Sequence, residues 1–232
     1  MNILKVEKGL AMYLAQYTGI VNEIPLQNEQ PSYMYNLIQL KREIKKKFNI
    51  SFQMFNSKYV ISEDQLKFIL HHVHSTFSLE SNISKHYDVE FLLYLSHERQ
   101  ITKAIEKVGV KNPNRKNEIS YGEILFGEPE KLKQAIKFLD NEIEFSKHYQ
   151  FEYLEPNEWE TFMETYEISI DQITNILRGN NTPIKGKINS LDDLKDFVSL
   201  NSIRKVITDA YNTGMVKLFL ENFKKNKIII EK

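Results

Sequence analysis

Apolar residues recur along this chain at two spacings, and the changes between them mark out its elements. Residues 33–48 (YMYNLIQLKREIKKKF) set Leu37, Leu40, Ile44 and Phe48 on one side at helical spacing, which predicts an amphipathic helix. Before it, residues 3–17 suggest a strand or the start of a helix, followed by a polar connection around Pro25 and Pro31. Ser51 to Ile61 (SFQMFNSKYVI) carries apolar residues on both sides of Asn56-Ser57 and predicts two strands around a turn. Ser62 followed by Glu63 and Asp64 is a helix start, a hydroxyl cap with acids at the positive end of the dipole. Leu66, Ile69, Leu70, Val73 and Phe77 give that helix a buried face as far as about Leu79.

After one or two helical turns at 81–87, Val89 to Leu95 (VEFLLYL) is short and mostly apolar. That is the pattern of a central strand buried on both faces, which a buried helix shares. Ser96 to Val108 predicts a helix with Ser96 as its cap, Ile101, Ala104, Ile105 and Val108 turned inward, and Gly109 as a left-handed stop. A loop at 111–118 leads to a strand at 119–126 and a helix at 130–139. Residues 149–154 read as a strand, Asn157 onward and Ser169–Leu177 as helices, 191–223 as helical and Lys227–Glu231 as a short strand. The expected fold is α/β: a small mixed β-sheet from strands near 52–61, 89–95 and 119–126, packed with several α-helices and helix-dominated. We expect one domain over 1–232, with an N-terminal extension of about 1–50 and a loop insertion at about 178–190 (RGNNTPIKGKINS).

Composition narrows the chemistry. The 232 residues suffice for a sizeable core, and 27 aromatic residues argue against disorder. Zero cysteine excludes disulfides, thiolate zinc sites, iron–sulfur clusters and cysteine nucleophiles. The first 25 residues lack a continuous apolar stretch and no run reaches the roughly 18 apolar residues of a membrane span, so a soluble, cytoplasmic chain without membrane contact is expected. Charge is balanced at 31 Lys+Arg and 31 Asp+Glu but unevenly placed. Residues 1–116 hold 16 basic and 11 acidic side chains, a net +5, and the remainder is net −5. That pattern argues against non-specific coating of nucleic acid and leaves room for one small basic patch in the first half.

Arg99, Lys103 and Lys107, each four residues apart, form such a patch opposite the apolar face of their helix. With Ser96, His97 and Gln100 nearby they supply cations for phosphates and donors and acceptors for base edges, the chemistry that holds an unpaired RNA end. The commoner use of such a row is a solvated helix face, and the same applies to the KREIKKK run at 41–47. His71, His72 and His74 lie within one turn, but no HExxH spacing exists and His72 suits a packed core histidine, so no metal site is expected. No GxGxxG, GxxxxGK[ST] or GxSxG occurs. Trp159, Phe162, Leu218 and Phe219 are expected in the core, the alternative being an apolar surface for a protein partner.

The stretch from Asn82 to Val110 resembles the small kinase-binding subunit of the KEOPS complex, called the PRPK-binding protein family in eukaryotes. The resemblance rests on Asn82-Ile83, Val89-Glu90, Leu92-Leu93, Ser96, Arg99-Gln100-Ile101, Ala104-Ile105 and Gly109, supported upstream by Gln53, Val60-Ile61, Leu66, Phe68, His72 and Phe77. The family usually has Gly where this chain has His97, and often Arg and Ala where it has Ser75 and Thr76. The resemblance implies a non-catalytic, cofactor-free subunit in tRNA threonylcarbamoyladenosine (t6A) modification. Such a subunit binds the KEOPS protein kinase subunit and the tRNA 3′ CCA end, as a monomer within a hetero-complex. By the same resemblance the RNA-binding residues would be Ser96, His97, Arg99, Gln100, Lys103, Lys107, Asn82 and Lys85. A pure protein-interaction regulator of the kinase, without RNA contact, is the alternative.

Overall fold

A computed structural model describes residues 3–7, 9–20, 32–110, 118–142, 148–149 and 151–230. The polar connection around Pro25 and Pro31 and the loop at 111–117 lie outside the described residues, as does the side chain of Leu37. The chain divides into two compact units. One comprises Met1–Ser57, Asn82–Leu93 and Arg99–Glu152, the other Lys58–Ser81, Tyr94–Glu98 and Tyr153–Lys232.

The first unit is built on an antiparallel sheet. β1 (Ile3–Glu7) pairs with β2 (Leu10–Ile20), β2 with β4 (Glu118–Gly127), and β4 with β3 (Ser51–Phe55). The two-residue β5 (His148–Tyr149) joins β2 beyond the reach of β1. The expected N-terminal extension therefore contributes strands: β2 is paired with β4 from Ala11–Gly127 to Ile20–Glu118. Alternation along β4 sorts its side chains between two layers. Tyr121 and Leu125 join Phe52, Met54, Ile44, Leu132, Ala135, Ile136 and Leu139 in one cluster, covered by α1 (Ser32–Phe48) and α5 (Pro129–Glu142). Toward the other face, Phe55 and Phe126 meet Phe91 at ring distances of 5.7 and 6.0 Å. Gly122 is needed here because a Cβ would strike the Phe55 and Phe151 rings.

The second unit is helical. α2 (Glu63–Ser78) starts at Ser62, whose Oγ accepts from the Gln65 amide as the sequence predicts. α6 (Trp159–Thr165), α7 (Ile170–Gly179), α8 (Leu191–Lys195) and α9 (Leu200–Ile230) follow. Ser169 and Ser190 each make a capping box, which fixes the starts of α7 and α8. Trp159, Phe162 and Phe219 are core, and Leu218 is half-buried.

Four expected strands are corrected. Val89–Leu95 lies inside a helix, α3 (Tyr87–Ser96), whose apolar run is buried all round; Asp88 and Glu90 in the first turn favour the helical choice. After β3 the chain makes a 3-10 turn at Ser57–Tyr59, and Val60 and Ile61 are buried without a second strand. Among the described residues of the 149–154 segment only Tyr149 is in a strand, and residues 227–230 continue α9. The helix expected from Ser96 starts later, as α4 (Ile101–Val108).

Candidate functional site

The segment that carries most of the candidate residues is organised by a buried carboxylate. Glu90, fully buried on α3, accepts from the amides of Ile83 at 3.1 Å and Ser84 at 2.7 Å. Asn82 closes the same turn by donating from Nδ2 to the Ser84 carbonyl at 2.8 Å, and the His86 amide donates to Ser84 Oγ at 3.1 Å. Burial pushes the Glu90 carboxyl up from its ordinary value, and the two backbone donors pull it back. The Asn-Ile and Val-Glu signatures thus meet in one clasp, which leaves Lys85 exposed beside a half-buried Asn82.

Ser96 ends α3 instead of opening the next helix. It is fully buried, and its Oγ accepts from the Glu98 amide at 3.2 Å, a local turn bond. His97 follows at φ 56°, in the left-handed region, at the position where the resembling family has glycine. Its ring packs 4.2 Å from Tyr211 and 4.8 Å from Tyr166, beside Gly214. Both tyrosine hydroxyls donate to the Leu95 carbonyl, at 2.7 Å from Tyr166 and 3.1 Å from Tyr211, and Tyr211 also reaches the Tyr94 carbonyl at 3.1 Å. These carbonyls belong to the last turn of α3, where the helix's own amides run out; the Tyr94 carbonyl also accepts from the His97 amide at 3.3 Å.

Arg99 and Gln100 precede α4 and are exposed, as is Lys103 within it; Lys107 is half-buried. Gln100 caps α4 through its backbone alone, so its amide group makes no capping bond. Among the described residues Arg99 and Lys103 form no ion pair, unlike Lys41, which meets Asp88 at 2.5 Å and Gln53 Oε1 at 2.9 Å. The inward face of α4 is narrower than predicted. Ala104 and Val108 are buried, but Ile101 and Ile105 stand 44% and 52% exposed. Gly109 ends the helix with an extended backbone (φ −66°), not a left-handed one. Its glycine is required by space, since a Cβ would collide with the Ile105 carbonyl oxygen, to which the Gly109 amide donates at 2.9 Å. The Val108 carbonyl accepts from Asn56 at 2.8 Å, which ties the end of α4 to the end of β3.

Other features differ in character. In the second unit a surface cavity of about 620 Å³ is lined by Trp159, Leu191 and Ile203 together with Glu155, Glu160, Asp192 and Lys195, a net acidic set and a poor electrostatic match for a polyanion. Lys195 in that lining is paired with Asp192. His72 is half-buried, 4.5 Å from the Phe68 ring, and burial lowers its pKa, with the neighbouring His71 adding to the effect. Among the described residues no group of three or more His, Asp or Glu is arranged to hold a metal ion, and no helix is long and apolar enough to cross a membrane. What the sequence reading missed is the clasp made by Glu90 and the pair of tyrosines on Leu95; both depend on residues that meet only in space. Compared with known families, residues 34–212 match the family model for kinase binding protein CGI-121. No curated protein matches the chain.

Proposed function

Since the chain belongs to the kinase binding protein CGI-121 family, we propose that it is the small, non-catalytic KEOPS subunit that docks on the KEOPS protein kinase subunit and tethers the 3′ CCA end of tRNA during t6A modification. The match covers well over half of the 232 residues, including nearly all of α1, all of α2 to α8 and every candidate residue from Asn82 to Lys107. The observation that carries the RNA part is the exposure of Arg99, Gln100 and Lys103 on one short stretch, with both cations outside any ion pair among the described residues. A guanidinium can contact a phosphate and also stack on an unpaired base, which an ammonium does less well. Gln100 brings both donors and an acceptor for a base edge. In this reading Lys107, Lys85 and Asn82, which belong to the same unit, would add to the RNA contact. In this reading Ser96 and His97 act on the shape of the turn ahead of Arg99, because Ser96 is buried and His97 is packed among tyrosines. The site would work in the cytoplasm, without cofactor or metal.

A second reading is favoured by Ile101 and Ile105. Two half-exposed isoleucines one turn apart suit a protein surface better than an RNA end, so α4 could serve kinase contact alone. Binding assays separate the two. Intact tRNA should bind at least tenfold more tightly than tRNA lacking CCA, and Arg99→Glu should reduce intact tRNA to the truncated level while capture of the cognate kinase is unchanged. Equal binding of both tRNAs would remove the tether and leave the kinase adaptor.

A further inference from the structure

The centre of the sheet holds a carboxyl group that the proposed function does not use. Glu123 lies on β4 between Ala15 of β2 and Met54 of β3 and is fully buried; its carboxylate oxygens make no well-formed hydrogen bond, and the nearby Tyr121 hydroxyl acts on them only weakly. It projects to the same side as Tyr121 and Leu125, into the layer covered by α1 and α5. From β3 that layer receives Phe52 and Met54; from α1, Leu40 and Ile44; from α5, Leu132, Ala135, Ile136 and Leu139. On β2 the same side carries Ala11 and the half-buried Tyr13. The described charges of α1 and α5 lie elsewhere. Lys41 is engaged with Asp88 and Gln53, and Arg42, Glu43, Lys45, Lys46, Lys47, Glu130, Lys131, Lys133 and Lys137 are exposed. Tyr13 and Tyr121 are therefore the titratable neighbours among the described residues.

An ionised carboxylate in that setting is shut off from bulk solvent and meets no cation among the described residues, whereas the neutral acid is tolerated. We infer that Glu123 is a proton switch for the first unit: α1 and α5 close on the sheet over the neutral acid, and ionisation of Glu123 loosens that layer. Burial pushes this carboxyl from its ordinary value near 4.5 up to about 7, and the Tyr121 hydroxyl only partly opposes the rise. The folded form holds the proton more tightly than the unfolded chain. The stability it confers is complete below the unfolded pKa near 4.5 and is lost as pH rises toward about 7. The range falls at the edge of neutrality, so a modest change in pH alters the packing of the sheet to which α4 is tied through Asn56.

Hydrogen exchange of the β2 and β4 amides, corrected for the intrinsic pH dependence of exchange, tests this. Protection in the native protein should fall on the order of 10²-fold between pH 4.5 and pH 7.5, and Glu123→Gln should flatten the profile. Glu123→Met, close in size and without a proton to lose, should do the same if the amide is poorly accommodated. Carbon-detected NMR of glutamate carboxyls in the unaltered protein provides the direct measurement, with Glu123 titrating near neutrality. A midpoint in the ordinary carboxylate range, or a native exchange profile shared by both variants, would overturn the proposal.

Discussion

At His97 two residue-level effects oppose each other. An L-residue in the left-handed region costs about 1–2 kcal/mol relative to glycine, yet the imidazole recovers contact with Tyr166 and Tyr211. Removing the ring in two ways separates them. His97→Gly and His97→Ala both lose the packing, but only glycine relieves the backbone, so the glycine variant should be the more stable by about 1 kcal/mol in urea unfolding. Equal stability would mean that the backbone there is unstrained. This position also shows what one residue reveals in sequence. The departure from the family's glycine was visible, but the conformation behind it was not. Gly109 is the complementary case: it was legible as a helix end, and only the structure shows that crowding by the Ile105 carbonyl, and not a positive φ, demands it.

Helix ends dominate the energetics at the scale of elements. The last carbonyls of α3 are satisfied by Tyr166 and Tyr211, and the Leu95 oxygen accepts from both. Tyr166→Phe or Tyr211→Phe should each cost about 1 kcal/mol, because the other hydroxyl still serves Leu95. The double variant strands a buried carbonyl and should lose more than the sum, by about 1 kcal/mol, in a double-mutant cycle from denaturant unfolding. Strict additivity would show that the shared acceptor is not what couples them. The tyrosine hydroxyls stay protonated throughout the accessible range, since burial raises both pKa values well above their ordinary position. Elements with strong periodic signals and caps, such as α2, α5 and α7, could be located from sequence. VEFLLYL could not, because a run buried on every side has no periodicity to distinguish helix from strand.

For the whole molecule the decisive quantity is where charge sits. A chain with no net charge and an acidic second half cannot hold RNA by bulk attraction, so any binding must come from a few local contacts. Affinity for intact tRNA should fall as salt rises, and Lys103→Ala should reduce the slope of log K against log salt by roughly 1 without altering kinase capture. An unchanged slope would place Lys103 outside the RNA contact. A small total slope would distinguish a tether with few phosphate contacts from a general RNA binder with many.

Sequence alone determined the helix-dominated α/β character, the capped helices, the family and the cation row, because periodicity, capping chemistry and short motifs are local and survive without coordinates. Only the tertiary structure decided that β2 lies beside β4, that Ser96 is buried at the end of a helix, that Ile101 and Ile105 face outward, and that Glu123 is fully buried at the centre of the sheet. Each of these depends on what a distant segment brings to the same place, and neither hydropathy nor spacing records that.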